Sequence, residues 1–130
     1  MAVRDRAAMI AGMNPARMPG TWHFCTLRDP APDLIAASLA TLQEPEGVSL
    51  ILPQDAAARQ GLPTDMPMAH IVLQVHSALD GVGLTAAVST ALAASGIPCN
   101  IVAGFHHDHL FVPVAQADKA LALLRARAAQ

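Results

Sequence analysis

Residues 80–100 read D-G-V-G-L-T-A-A-V-S-T-A-L-A-A-S-G-I-P-C-N, and they contain the clearest helix pattern in the chain. Four apolar side chains recur at helical spacing, namely Leu84, Val88, Ala91 and Leu92. This spacing predicts a helix over residues 83–95 that Gly96 ends. A loop with two glycines precedes the helix, and an apolar segment typical of a β-strand, residues 99–105, follows it. The stretch therefore predicts a loop, a helix and a strand in direct succession.

The flanking segments extend this pattern. Residues 71–75, I-V-L-Q-V, predict a strand before the loop, and residues 110–112 predict another strand after a turn. A final helix is expected over residues 114–128, with apolar side chains along one face. The second half of the chain thus reads strand, helix, strand, turn, strand, helix.

The first half reads as a reduced copy of the second. Its predicted elements are a helix (2–12), a strand (21–27), a short helix (34–42), a strand (48–52) and a helix (54–59). This copy lacks the extra hairpin strand. An irregular segment with two prolines, residues 62–68, separates the copies. We therefore expect an N-terminal half at 1–66 and a C-terminal half at 67–130.

Composition limits the class of protein. The chain has 130 residues, 53% of them hydrophobic and 14% charged, so it can bury a core without crosslinks. A net charge of −2 argues against a nucleic-acid surface, and no apolar run approaches the length of a membrane span. Cys25 and Cys99 are too few for a disulfide framework or a four-cysteine zinc site. Without a signal-peptide core near the N-terminus, we expect a reduced, cytoplasmic protein.

The helix and the loop before it resemble the ACT domain, a small regulatory module that binds ligands. The family signature has an aspartate, a Gly-Leu pair at a helix start, and a Gly-Ile pair before the next strand. The matching residues here are Asp80, Gly83, Leu84, Gly96 and Ile97. Val82 stands where the family usually has a proline. The runs V-H-S-A-L-D-G-V-G-L-T-A-A-V and H-D-H-L-F-V-P are similar to a bacterial ACT-like family of unknown function, which pairs a degenerate N-terminal half with a fuller C-terminal ACT domain.

This resemblance implies both a fold and a role. The fold is a ferredoxin-like α/β sandwich of the βαββαβ type, built as tandem ACT-like halves with antiparallel sheets and helices on one face. The role is a non-catalytic sensor or regulatory protein that binds a small molecule, which we interpret as an amino acid. ACT-like modules commonly pair, and few charges protect the sheet edges of this chain, so we expect a homodimer. Neither a nucleic acid nor a membrane is an expected partner.

The residues predicted to bind the ligand surround the start of the helix. They are Asp80, Gly81, Val82, Gly83, Leu84 and Asn100. Backbone N–H groups at a glycine-flanked helix start attract a carboxylate, whereas Asp80 would face an ammonium group and Asn100 would bond either end. Asp80 is equally compatible with a helix cap, and the glycines with a tight turn or close packing. Gly83→Val is expected to abolish binding at a cost of about 1 kcal/mol in stability.

The segment His106–His109, H-H-D-H, raises the alternative of a metal site. Its candidate ligands are His107, Asp108 and His109, because side chains two apart on a strand share a face. Zinc would need further ligands, and no diagnostic spacing supplies them, so a solvated turn is the favoured interpretation. A metal-dependent enzyme using this segment and a structural partner subunit with a vestigial ligand loop are the alternative functions. No catalytic or cofactor motif is present, so we predict neither enzymatic activity nor a cofactor.

Overall fold

Six β-strands and five α-helices follow one another along the chain, and the computed structural model describes all residues from Met1 to Gln130. In chain order they are α1 (Arg6–Ala11), β1 (Pro15–Leu27), α2 (Pro32–Ala37), β2 (Ala40–Glu44), β3 (Gly47–Pro53), α3 (Gln54–Arg59), β4 (Met68–Leu73), α4 (Leu84–Ala93), β5 (Asn100–Ala103), β6 (Asp108–Pro113) and α5 (Ala117–Ala128). A 3₁₀ turn, Val114–Gln116, leads into α5. None of the helices has the length and hydropathy that a membrane span requires.

The elements form two units, one of which interrupts the other in sequence. The first unit combines Met1–Pro19 with Ala69–Gln130, and the second unit is Gly20–Met68. Strand β1 therefore gives its first residues to the first unit and its remainder to the second. These units and the predicted sequence halves, 1–66 and 67–130, are different divisions of the same chain.

The first unit has the strand order β1-β4-β6-β5, with β5 and β6 forming an antiparallel hairpin. Helices α1, α4 and α5 contact one another and share a single hydrophobic core with β4 and β6. Alternate residues of β4, namely Ala69, Ile71 and Leu73, enter that core, as the two-residue period of a strand requires. The predicted arrangement of helices on one face is therefore confirmed in this unit.

Helix α4 ends where its sequence indicated. Gly96 has a φ of 69°, a left-handed conformation that a glycine adopts without strain. The N–H of Ile97 then donates to the carbonyl oxygen of Leu92 at 3.1 Å, which is a common way to satisfy the last carbonyls of a helix.

The second unit has the strand order β2-β3-β1, with both pairings antiparallel. Its core consists of Cys25, Leu34, Leu50, Leu52, Ala56 and Ala57. Helix α2 begins with Pro32, whose fixed φ suits the first turn of a helix. The predicted α/β fold with antiparallel strands is thus confirmed.

Two sequence-based expectations for the first half were wrong. The hairpin strand predicted to be absent is β2, which begins at Ala40, so the helix predicted over 34–42 ends earlier, at Ala37. Four of the five residues of β2 are exposed, so the strand shows no apolar alternation in the sequence. The first strand was predicted to begin at residue 21, yet β1 begins at Pro15, although residues 15–20 include two prolines and a glycine. Pairing with a neighbouring strand outweighs these local preferences.

Candidate ligand-binding site

A cavity of about 160 Å³ lies at the start of α4 in the first unit. Its walls come from the loop before α4, from α1 and from the end of the β5–β6 hairpin. Its polar side chains are those of Ser77, Thr85 and Asp108, and its larger apolar ones include Met9 and Leu84. Drug-sized ligands usually occupy pockets of about 300–1,000 Å³, so this cavity suits a smaller molecule.

Gly83 sets the geometry of this helix start. It is the N-cap of α4 with a φ of 111°, and no side chain caps the helix. The first bond of the helix runs from the N–H of Ala87 to the carbonyl oxygen of Gly83 at 3.0 Å. The N–H groups of the first turn consequently have no side-chain cap, and they carry the positive end of the helix dipole. Leu84, only 4% exposed, anchors the turn in the core.

Gly81 serves a different purpose from Gly83. Its N–H donates to the carbonyl oxygen of Ala78 at 2.9 Å, so this group closes a turn and is already bonded. A Cβ at Gly81 would lie 2.9 Å from Sδ of the buried Met9. The first glycine of the loop therefore permits close packing, and the second permits the helix start.

Three other predicted ligand residues lie outside the cavity lining. Asp80 is exposed and pairs with the guanidinium group of Arg4. Val82 is 79% exposed. Asn100 is exposed at the start of β5, three residues before the cavity-lining Ala103, and three strand residues span about 10 Å. The structure brings Gly81, Gly83 and Leu84 together at the cavity, but not the other three predicted residues.

The histidine-rich segment does not converge on one point. His107 Nδ1 lies 3.4 Å from the carbonyl oxygen of Val75, and His109 Nδ1 shares a 2.9 Å hydrogen bond with His70 Nε2. Asp108 accepts a hydrogen bond from Ser77 Oγ at 3.4 Å. No group of three or more histidine, cysteine or acidic residues is positioned to hold a metal ion.

The buried His70 and the half-buried His109 form a pair between the neighbouring strands β4 and β6. Burial, followed by the charge of His109, lowers the pKa of His70 to about 4. Burial also lowers the pKa of His109, assisted by His107 and opposed by Asp108. At neutral pH both rings are therefore uncharged, and one ring nitrogen donates to the other.

The two thiols are not placed to ionise near neutral pH. Burial raises the pKa of Cys99 to about 11 and raises that of Cys25 as well. A thiol nucleophile requires a depressed pKa, so neither cysteine has the electrostatic environment of a reactive thiolate.

Sequence reasoning missed three polar residues of the cavity: Ser77, Thr85 and Asp108. Ser77 and Asp108 are 31 positions apart, and only the pairing of their segments across the fold brings them together. The sequence pattern suggests Asp108 only as a metal ligand. Ser77 and Thr85 lie within or beside the glycine loop, so a search for hydroxyl groups flanking that loop would have found them.

Antiparallel strands, helices on one face and a small cavity at a helix start define a ferredoxin-like ligand-binding module. The chain belongs to the ACT-domain family, since models described as "ACT domain" match residues 2–69 and 69–126. Among curated proteins no sequence matches it significantly. The resemblance noted from the sequence is thereby confirmed.

Solved structures with the same fold include proteins of unknown and of regulatory function. VC0802 from Vibrio cholerae, a protein of unknown function described as a possible transport protein, is 40% identical, with a TM-score of 0.82 over 91% of this chain and 92% of that one. Atu0741 from Agrobacterium tumefaciens is 21% identical, with a TM-score of 0.70 over 88% and 87%. The regulatory subunit of aspartate kinase from Thermus flavus is 13% identical, with a TM-score of 0.59 over 89% and 97%.

Proposed function

We propose that this protein is a non-catalytic regulatory module that binds a free amino acid in the cavity at the start of α4. The observation that carries the proposal is a helix start without a side-chain cap, beside a cavity of about 160 Å³. Membership of the ACT family supports a small-molecule-binding regulatory role. The fold shared with an aspartate kinase regulatory subunit supports the same assignment. Two free cysteines are consistent with a reducing, cytoplasmic location.

The chemistry of the helix start favours a carboxylate. Uncapped N–H groups lose hydrogen bonds when they are shielded from water, and a carboxylate restores them with charge-assisted bonds. The helix dipole adds a favourable interaction with a negative charge. The α-carboxylate of an amino acid meets both requirements, and the apolar side chains of Met9 and Leu84 offer contacts for the rest of the molecule.

A thermal-shift screen tests this function. At a free ligand concentration of one hundred times Kd, a ligand that binds only the folded state adds about 2.7 kcal/mol to the free energy of unfolding. We expect at least one of the twenty amino acids, at millimolar concentration, to raise the melting temperature by several degrees. The same concentrations of sodium chloride serve as the control. The proposed function would be contradicted if none of the twenty amino acids raised the melting temperature.

We also propose that the protein forms a homodimer. Strand β2 lies at the edge of the second unit, and its Leu42 is 65% exposed. An exposed edge with an apolar side chain is a ready surface for pairing with a second copy. Sedimentation velocity should show a dimer at high micromolar concentration. Leu42→Lys should weaken the dimer. Thr41→Lys adds the same charge on the same strand without removing Leu42, so it is the matched comparison. A wild-type monomer across this concentration range would refute the proposal.

A further inference from the structure

Asp108 is the only charged residue among those that line the cavity at the start of α4. It is half-buried, at the first position of β6, opposite Ala103 of β5. Its one hydrogen bond to a side chain comes from Ser77 Oγ and is long, at 3.4 Å. A carboxylate in this position retains most of its capacity to accept hydrogen bonds.

The other aspartate considered for the ligand is already engaged. Asp80 pairs with Arg4 and does not line the cavity. Ion pairs with arginine also involve Asp55 and Asp118, whereas Asp108 forms none. Within this unit, Asp108 is therefore the carboxylate that a cation inside the cavity would meet.

The cavity thus offers two complementary charges to one small molecule. Uncapped N–H groups of α4 attract a carboxylate, and Asp108 attracts a positively charged group. An α-amino acid carries both groups on a single carbon atom. A volume of about 160 Å³ is roughly half the lower end of the range of about 300–1,000 Å³ for pockets that hold drug-sized ligands, which favours an amino acid with a small side chain.

We propose that Asp108 binds the ammonium group of the ligand, and that the cavity selects small α-amino acids of the size of glycine, alanine and serine. The proposal rests on the proposed function, because it assigns the residue that binds the ammonium group in the site where the helix start binds the carboxylate. It also moves ammonium recognition from Asp80, the residue suggested by the sequence, to a residue of the β5–β6 hairpin.

Isothermal titration with L-alanine and with propionate, its analogue without the ammonium group, tests the assignment. The wild-type protein should bind L-alanine more tightly than propionate. Asp108→Asn keeps the shape of the side chain and an oxygen for the Ser77 bond but removes the charge. It should weaken L-alanine binding about ten- to hundredfold, the usual range for losing a charged hydrogen-bond partner, and it should reduce the preference over propionate. Asp80→Asn is the matched control and should change the affinity less than about twofold, as expected for an exposed ion pair.

The outcomes separate this inference from the function on which it rests. If L-alanine binds wild type and Asp108→Asn equally well, or if Asp80→Asn has the larger effect, the ammonium assignment is wrong while amino-acid binding stands. If only large amino acids such as L-phenylalanine bind, the size selection fails. If no amino acid binds, both proposals fail together. The comparison of L-alanine with propionate on the wild-type protein needs no substitution, so equal affinities there would overturn the assignment even if a variant did not fold.

Discussion

Between pH 6.5 and pH 4, this protein should lose about 3 kcal/mol of its free energy of unfolding through His70 alone. The ring is 4% exposed, and burial is the main reason that its pKa falls to about 4 from an ordinary value of 6.5. In the unfolded chain, His70 takes up a proton once the pH drops below 6.5, but the folded protein resists this uptake. His70 therefore costs no stability well above pH 6.5, and its destabilising effect grows as the pH falls toward 4.

Urea unfolding at several pH values measures this effect. His70→Gln replaces the ring by an amide that can still bond to His109 but cannot take up a proton. The difference in unfolding free energy between wild type and this variant should shrink as the pH falls from 7 to 4. His109→Gln removes only the smaller cause of the pKa shift, so it should retain the greater part of the pH dependence. If the unfolding free energies of wild type and His70→Gln changed with pH in parallel, the lowered pKa of His70 would not be the cause of the pH dependence.

Gly83→Val should destabilise the protein without ligand by about 2–3 kcal/mol and abolish its ligand-induced thermal shift. This cost exceeds the value of about 1 kcal/mol suggested by the sequence, because Gly83 has a φ of 111°. A β-branched residue is strained in that region of backbone conformation. The new Cβ would also lie 2.6 Å from Nε of Arg6, whose side chain would have to move aside.

A double-mutant comparison separates the two causes. Arg6→Ala removes the side chain that the new Cβ would strike, and leaves the backbone strain in place. We expect Gly83→Val to remain destabilising in the Arg6→Ala background, with only a minor part of its cost relieved, because Arg6 is an exposed and flexible side chain. Thermal unfolding followed by circular dichroism, on wild type, the two single variants and the double variant, measures these differences in stability. A Gly83→Val protein as stable as wild type would contradict the predicted strain at Gly83. One that keeps its ligand-induced thermal shift would show that the helix start is not the binding element.

The helices and strands in the second half of the chain could be predicted from the sequence because their apolar residues, which recur at regular spacing, are also the residues that become buried. Helix α4 was predicted over residues 83–95 and spans Leu84–Ala93. The prediction is close because the apolar face indicates the helix and Gly96 indicates its end. Strand β6 was predicted from three apolar residues, and all three are buried. In such segments, local preference and tertiary packing agree.

The candidate site was only partly predictable because its members meet through sheet pairing. The glycine loop is contiguous, so its backbone geometry followed from composition. Asp108 reaches the cavity because β6 is placed beside β5 in a particular register, which no spacing in the sequence reveals. The pairing of Arg4 with Asp80 joins residues 76 positions apart and was likewise invisible. Residues of the N-terminal segment thus alter the environment of a loop that the sequence alone suggested was open to ligand.

The first unit is discontinuous in sequence, so during synthesis its core cannot be completed until after the second unit has been translated. The residues that form the core of the second unit, with β1 to β3 and α3, are all translated once residue 68 has been added. Met9, Ile10 and Met13, by contrast, belong to a core that also needs α4 and α5, which are translated last. The end of α5 is translated 115 residues after Met13. At about 5–20 residues per second, these apolar side chains therefore wait roughly 6 to 23 seconds for their last partners. The N-terminal segment is therefore the part of the nascent chain most exposed to chaperones and to aggregation before the first unit can close.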